Sequence, residues 1–254
     1  MENIIQSGFA EPVPDHELET AEGSAWYIPH HGVYHSKKPD KIRVVFDCSA
    51  RFKGESLNEN LLQGPDLTNA LVGVLCRFRQ EPIAFMCDVE QMFFQFRVAA
   101  EHKDYLRFLW WENGNCDSPP KEFRMNVHLF EQCPPACANF GLKRLAEATT
   151  KVNMDLAAAN FIRQDFYVDD GLSSVPTSKE AIDLIHSTKL ICAKGGLRLH
   201  KFMSNSKEVM AAIPAEDRAK GIQDLDLLRD SGPVERALGV HWCIESDSFQ
   251  FELL

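Results

Sequence analysis

The stretch DFYVDDGLSSV, residues 165–175, decides the fold predicted for this chain. Three apolar residues, 166–168, precede Asp169, Asp170 and a glycine, and apolar residues return after the glycine. This pattern predicts a strand, a tight acidic turn and a second strand, with the two aspartates at the tip of the hairpin. Because Asp and Gly are both favoured in tight turns, turn chemistry alone is the alternative explanation of the pair.

A third candidate carboxylate lies far upstream. The segment PIAFMCDV (82–89) is almost wholly apolar, which predicts a buried central strand with Asp88 near its end. A charged side chain at the end of a buried strand costs free energy unless an opposite charge or a hydrogen-bonding group pairs with it. Asp88 and the hairpin aspartates can converge from neighbouring strands of one sheet, and such carboxylates form a hard oxygen site that suits Mg²⁺. Two such ions would activate a hydroxyl and stabilise a leaving oxygen in phosphoryl transfer.

The remaining segments predict an α+β domain with a largely antiparallel sheet. Residues 1–24 are polar, acidic and proline-bearing, and we interpret them as an arm. The sequence of residues 25–254 is typical of a globular domain. The patterns predict strands at 41–49, 106–112 and 122–130, helices at 64–80, 136–150, 154–162 and from a capping box at Thr177 to Ala193, and a hairpin at 237–253.

Composition and charge narrow the class of protein. The 254 residues are 44% apolar and 10% aromatic, which excludes a chain that is disordered throughout. No apolar run approaches the roughly 20 residues that a membrane helix needs, and the N-terminus lacks the features of a signal peptide, so we expect a cytoplasmic protein without a membrane partner. The net charge of −10 argues against a generic nucleic-acid binder, although residues 37–54 hold six Lys or Arg against two Asp.

Several blocks in a fixed order resemble the reverse transcriptase domain of BEL/Pao-type LTR retrotransposons. The resemblance runs from about residue 26 to the end and rests on KIRVVFDCSA (41–50), LNENLLQGPDL (57–67), CDVEQMFFQFRV (87–98), FYVDDGL (166–172), GGLRLHKFMSNSK (195–207) and LGVHW (238–242). It implies a right-hand polymerase fold with a central antiparallel palm sheet and a thumb that is short or absent. The implied fingers are about 25–80 and 105–132, and the implied palm is about 81–104 and 133–254.

The resemblance also implies an activity, namely RNA-directed DNA synthesis from dNTPs at a primer 3′-hydroxyl on an RNA or DNA template. The implied cofactors are two Mg²⁺ ions, with Mn²⁺ as a substitute. The implied partners are primer–template nucleic acid, dNTPs and other polyprotein domains (RNase H, protease and integrase). The implied location is the cytoplasm, with virus-like particles as a specific site within it.

Site residues follow from the resemblance only where the motifs match. Asp88, Asp169 and Asp170 correspond to the catalytic, metal-binding aspartates of the palm, with Asp170 beside Asp169 in the Tyr-x-Asp-Asp turn. The further implied roles are a triphosphate grip for Lys41 and Arg43, a steric gate against the 2′-hydroxyl for Phe93, proton donation to pyrophosphate for Lys201, and primer positioning for Leu238 and Gly239. The structural alternatives are an exposed basic edge strand for Lys41 and Arg43, a core phenylalanine for Phe93, a surface lysine for Lys201 and a plain hairpin for Leu238 and Gly239.

One loop departs from the pattern of the resembled domain. The segment HLFEQCPPACA (128–138) has Glu131 where glycine is expected and Pro134 where serine is expected. Glycine allows positive φ at little steric cost, and a carboxylate near a triphosphate adds repulsion. Two alternatives therefore stand beside the polymerase: a catalytically impaired retroelement remnant that at most binds nucleic acid, and a different two-metal phosphotransferase or nuclease.

Overall fold

The computed structural model of the chain describes residues 1–35, 38–62, 64–129, 136–150, 155–219, 224–226, 239–243 and 248–252. Leu238 lies outside these residues, and so does the loop 131–134, whose sequence departs from the pattern of the resembled domain. The side chain of Lys41 also lies outside the described part. The described α-helices are α1 (Glu2–Gln6), α2 (Leu57–Asn60), α3 (Leu71–Phe78), α4 (Ala136–Thr150), α5 (Leu156–Gln164), α6 (Ser178–Lys194) and α7 (Lys207–Ala212). The described strands are β1 (Ala10–Pro12), β2 (His30–His35), β3 (Lys38–Phe46), β4 (Arg51–Phe52), β5 (Glu55–Ser56), β6 (Ile83–Val89), β7 (Arg107–Trp110), β8 (Lys121–Met125), β9 (Phe166–Tyr167), β10 (Asp170–Val175), β11 (Leu199–Ser204), β12 (Asp224–Asp226), β13 (Gly239–Cys243) and β14 (Ser248–Glu252).

The chain divides into two compact units. Unit 1 comprises residues 1–66 and 93–138, and unit 2 comprises residues 67–92 and 139–254. These bounds differ from the predicted arm, fingers and palm at 1–24, 67–80, 93–104 and 133–138, and the assignment of fingers and palm stays a prediction. Helix α3 belongs to unit 2 because Val74 and Phe78 are buried in the same apolar cluster as residues of β6 and β10.

Unit 1 is built on the antiparallel sheet β1–β8–β7 and the hairpin of β2 and β3. Its core joins Phe46 of the hairpin to Phe108 and Phe123 of the sheet, and the rings of Phe46 and Phe108 meet edge-on at 5.2 Å. Burial of aromatic rings of this size dominates the energetics of a core. The hairpin is therefore anchored at its base, where Phe46 lies.

The N-terminal segment differs from the predicted arm. Strand β1 pairs with β8, and Ala10 is buried in the core of unit 1. Acidic side chains of this segment pair with arginines about 100 residues away: Glu11 and Glu17 both contact Arg124. The charge pattern of the segment predicted a solvated arm because the basic residues that neutralise its acidic side chains are distant in sequence.

Unit 2 is organised around the antiparallel sheet β11–β6–β10–β9. Strand β6 is central and almost fully buried, as its apolar run predicts. One face packs on α3 through Met86 and Leu172, while on the other face the ring of Phe85 packs 5.4 Å from Phe161 of α5. The prediction of a largely antiparallel α+β sheet with a buried strand at 82–89 is confirmed.

The predicted helix at 64–80 is shorter than expected, because α3 begins only at Leu71. Tertiary contacts hold the preceding residues in another conformation: the Asn69 side chain donates to the carbonyls of Arg163 and Phe166, and Thr68 accepts from Asn139. Hydrogen bonds to distant elements override the helical periodicity there. Among the described residues, no helix combines the length and apolarity required to cross a bilayer.

Candidate active site

The register of the central sheet brings the predicted carboxylates together. Asp88 of β6 lies directly opposite Asp170 of β10, and the backbone N–H of Val89 donates to the carbonyl of Asp169 at 2.9 Å. On the other side of β6, His200 of β11 is the register partner of Asp88. The strand end predicted from the apolar run therefore lies between the acidic hairpin and a basic strand.

Two like charges directly opposite on neighbouring strands destabilise a sheet. Here the second neighbour of β6 offsets the repulsion: His200 Nε2 lies 2.7 Å from one oxygen of Asp88, and Lys201 Nζ donates to the other at 2.7 Å. Asp88 is mostly buried, with 17% of its side chain exposed, so both contacts lie in a partly desolvated setting. The acidic pair therefore lies beside two side chains of β11 that contact one of its members, and it is a candidate functional site.

The ammonium group of Lys201 lies in the field of all three aspartates. Partial burial on its own lowers the pKa of Lys201, but the hydrogen bond to Asp88 and the charges of Asp88, Asp170 and Asp169 outweigh burial and raise that pKa above its usual value. A positive charge is therefore the form that this position stabilises.

Backbone strain is concentrated around the same carboxylates. Among the described residues, five non-glycine residues have positive φ, and three of them flank the site: Gln91 (50°), Val168 (56°) and Lys201 (51°). Val168 is β-branched and occupies the first loop position of a two-residue hairpin, where glycine is usual. Such strain persists only where the surroundings enforce it, and it is typical of active sites.

The chemistry of the donors fits a hard divalent ion, because carboxylate oxygens are the ligands that Mg²⁺ prefers. The side-chain arrangement differs from a formed metal site: in the described part of the chain, no group of three or more His, Cys, Asp or Glu side chains is placed to hold a metal ion. At Asp88 the ammonium of Lys201 contacts one of the two carboxylate oxygens. The three aspartates are therefore candidate ligands by residue type and strand position, and their role as metal ligands stays a prediction.

Comparisons with known proteins concern the fold of the chain. No family model matches the chain, and no curated protein matches it. Among solved structures, a foamy viral protease–reverse transcriptase (dRH) in complex with double-stranded DNA superposes with a TM-score of 0.59 at 13% identity, over 98% of this chain and 33% of that one. The native prototype foamy virus protease–reverse transcriptase superposes with a TM-score of 0.54 at 15% identity, over 78% and 22% of the two chains.

The chain has a reverse transcriptase fold. The predicted fold class, a mixed α and β polymerase architecture with antiparallel sheets, is thereby confirmed. The chain spans about a third of the length of the first of these structures. The likeness establishes the architecture, while substrate, template and mechanism depend on this chain's own residues.

Within this reverse transcriptase fold, the residues predicted to bind dNTPs divide between the two units. Lys201 is with the aspartates in unit 2, whereas Lys41, Arg43 and Phe93 belong to unit 1. Lys41 and Arg43 lie on β3, and Arg43 is exposed. Phe93 is only 9% exposed and its ring stacks on His128 at 6.2 Å, which favours a core phenylalanine. The roles of these residues in dNTP binding stay predictions.

The predicted primer hairpin is present as strands β13 and β14. Gly239 begins β13 and pairs with Glu252, while Leu238 lies outside the described residues. Trp242 is fully buried and packs edge-on against Phe78 at 4.8 Å. Its part in the hairpin is therefore to anchor β13 to the core of unit 2, and primer positioning by Gly239 stays a prediction.

Sequence reasoning missed His200 as a contact of Asp88. Sequence reasoning also missed the ion pairs next to His200, in which Arg198 pairs with Glu90 at 2.9 Å and with the buried Asp217 at 2.7 Å. A signal was available: a histidine lies next to a lysine that resembles a catalytic lysine. What the sequence lacked was the register that joins His200 to Asp88.

Gly171 is required for space rather than for its backbone conformation. A Cβ at this position would lie 2.6 Å from Cζ of Phe166 and 3.0 Å from Sγ of Cys87. Phe166 is itself buried and packed at 5.2 Å on the ring of Phe161, so it has little room to move. Glycine after the two aspartates lets the hairpin lie close against β6.

We expect Gly171→Ala to lower the free energy of unfolding by about 1–3 kcal/mol, the usual cost of overpacking a core. Urea unfolding followed by circular dichroism measures this. The matched control is Gly64→Ala, where the added methyl meets no atom within 4 Å and the stability should stay within about 0.5 kcal/mol of the original. Equal stability of the two variants would contradict the close contact at Gly171.

Proposed function

We propose that this chain is the polymerase domain of an RNA-directed DNA polymerase, and that it comes from a BEL/Pao-type retrotransposon that acts in the cytoplasm. The observation that carries the proposal is the placement of Asp88 opposite Asp170, beside Asp169, at the ends of buried strands in a reverse transcriptase fold. The motif blocks support the retrotransposon assignment. Protease, RNase H and integrase domains are the expected neighbours in the polyprotein.

The aspartates are the proposed ligands of the catalytic ions. Asp88, Asp169 and Asp170 would hold Mg²⁺, which would supply a lowered pKa of the primer 3′-hydroxyl and neutralisation of charge on the triphosphate. The chain's own contribution is preorganisation: the sheet fixes the carboxylates at adjacent register positions before substrate binds. The hydrogen bond from His200 holds one oxygen of Asp88 in place.

Nucleic acid is the proposed partner. The foamy viral structure is in complex with double-stranded DNA, and we infer an equivalent primer–template partner for this chain. Support comes from unit 1, where Arg43, Arg51 and Lys53 are exposed although the chain as a whole is acidic. Exposed Arg and Lys neutralise phosphates without regard to base sequence.

Primer extension is the direct test. A labelled DNA primer annealed to an RNA template is incubated with the chain, Mg²⁺ and dNTPs, and the product lengths are resolved on a gel. The proposal expects extension that stops one residue before any template base whose complementary dNTP is omitted. A folded chain that extends no primer with Mg²⁺ or Mn²⁺ contradicts the polymerase activity.

A remnant that binds nucleic acid without extending it is the second candidate. The observation that favours it is the sequence of the 131–134 loop, with Glu131 and Pro134, which lies outside the described residues. Restoring glycine and serine at these positions distinguishes the two candidates, because rescue of extension identifies the loop as the cause of impairment. Binding of primer–template without extension, before and after restoration, supports a remnant damaged elsewhere.

We expect binding of primer–template to be weak and steeply dependent on salt. If about four phosphates are neutralised, affinity falls roughly 10²-fold between about 50 and 200 mM salt. Fluorescence anisotropy of a labelled duplex measures this, with reversal of the charge at exposed Arg43 (Arg43→Glu) expected to lower both the affinity and the salt slope. Affinity that is independent of salt would contradict a contact dominated by phosphates.

A further inference from the structure

Both carboxylate oxygens of Asp88 are occupied by side chains of β11. His200 contacts Oδ1 and Lys201 contacts Oδ2, each at 2.7 Å. Because a carboxylate accepts only and Lys donates only, the Lys201 contact uses lone pairs that a metal ion would need. The contact and a bound divalent ion therefore compete for the same oxygen.

The two contacts differ in how firmly they are held. His200 is largely buried, and its Nδ1 lies 3.9 Å from Glu90, which is itself paired with Arg198 at 2.9 Å. Lys201 is about half exposed, at 53%, and reaches Asp88 on a flexible side chain. Burial restricts the imidazole of His200, whereas the half-exposed Lys201 can exchange Asp88 for water.

We propose that Lys201 is a built-in counter-ion that competes with divalent ions for Asp88, and that His200 is a positioning residue that holds the carboxylate during the exchange. The proposal rests on the proposed function, in which Asp88 is a metal ligand. Binding of the ion releases the ammonium of Lys201, which then becomes available to the charged triphosphate. The positive φ of Lys201 holds the residue in a strained conformation beside Asp88.

The test is binding of Mn²⁺ to the whole chain without nucleotide or nucleic acid, measured by the electron paramagnetic resonance signal of unbound Mn²⁺. Lys201→Met is expected to lower the Kd about five- to tenfold, because an opposing cation and its ion pair are removed. Lys201→Arg retains the charge and should bind Mn²⁺ as the original chain does. The matched control is Lys179→Met on α6, a lysine paired with the exposed Asp183, which should leave the Kd unchanged.

Substitution of His200 is expected to act in the opposite direction. His200→Ala removes the donor that holds Oδ1 of Asp88, so the Kd for Mn²⁺ should rise severalfold, and His200→Gln should restore much of the affinity because its amide also donates. A merely structural histidine would change thermal stability without this opposite change in Mn²⁺ affinity. Equal Mn²⁺ affinity in the His200→Ala variant and the original chain overturns the positioning role.

Asp88→Asn separates the failure of this inference from failure of the proposed function. If Asp88→Asn abolishes saturable Mn²⁺ binding while Lys201→Met leaves it unchanged or weaker, competition by Lys201 is overturned and the metal site stands. If Asp88→Asn binds Mn²⁺ as the original chain does, both the metal site and the competition are wrong. Should Lys201→Met fail to unfold cooperatively, Lys201→Asn serves instead, because Asn tolerates positive φ.

Discussion

Asp88→Asn and Asp169→Asn should each lower template-directed primer extension by at least about 10³-fold, which corresponds to about 4 kcal/mol of transition-state stabilisation. Each substitution removes one negative charge from a site that the proposed ions require, while the side chain keeps its size. Single-nucleotide extension under saturating dNTP measures the loss. Asp183→Asn is the matched control, because that aspartate is exposed on α6 and pairs with a neighbouring lysine.

Stability separates a catalytic role from a structural one in this experiment. Asp88 faces Asp170 across two strands, so removal of its charge relieves repulsion as well as weakening the contacts of His200 and Lys201. We therefore expect the Asp88→Asn variant to unfold at a temperature close to that of the original chain. A large loss of stability in step with the loss of activity would assign Asp88 to the structure instead, and full activity in either variant would remove the assigned site.

Local sequence patterns predicted the elements that carry the site. The apolar run 82–89 predicted β6, the segment at 165–175 predicted the acidic hairpin, and Thr177 accepts from the N–H of Glu180 at the start of α6 as the capping box requires. Each of these signals depends on neighbours within a few residues. Helix α4 has the predicted bounds 136–150 for the same reason.

Local sequence patterns did not predict the features that depend on contacts between residues far apart in sequence. The contact of His200 with Asp88 joins residues 112 apart in sequence and requires the register of β11 against β6. The segment preceding α3 lost its predicted helix to contacts with α4, α5 and β9. In the segment before α3, hydrogen bonds across the fold outweighed a helix propensity that is worth only a few tenths of a kcal/mol per residue.

The second large effect concerns Arg107, whose side chain is completely buried in unit 1. Its guanidinium donates to Asp104 and Glu122, each at 3.0 Å, and to the backbone carbonyls of Glu17 and Leu18. These contacts tie the N-terminal segment to β7 and β8. Removing Arg107 takes the counter-charge from Glu122 and one of two arginines from Asp104, and loss of one partner of a buried ion pair is strongly destabilising.

We expect Arg107→Met to lower the free energy of unfolding of unit 1 by about 3–5 kcal/mol. Methionine retains much of the apolar length, so the loss reports on the charge and its hydrogen bonds. Urea unfolding followed by tryptophan fluorescence measures it, because Trp26, Trp110 and Trp111 all lie in unit 1. Arg144→Met is the control: that arginine is 64% exposed in a helical pair with Glu147, and its loss should change stability by less than about 0.5 kcal/mol.

Acid should weaken unit 1 through the same network. Burial on its own raises the pKa of Asp104, but hydrogen bonds from Arg107 and Arg124 outweigh it and lower that pKa below its usual value. A lowered pKa in the folded state contributes stability that is present above the unfolded value of about 4 and is lost as pH falls through the folded value. The free energy of unfolding of the original chain should therefore fall more steeply below about pH 4 than that of Arg107→Met. Parallel pH profiles for the two proteins would show that the buried arginine does not hold Asp104 in its ionised form.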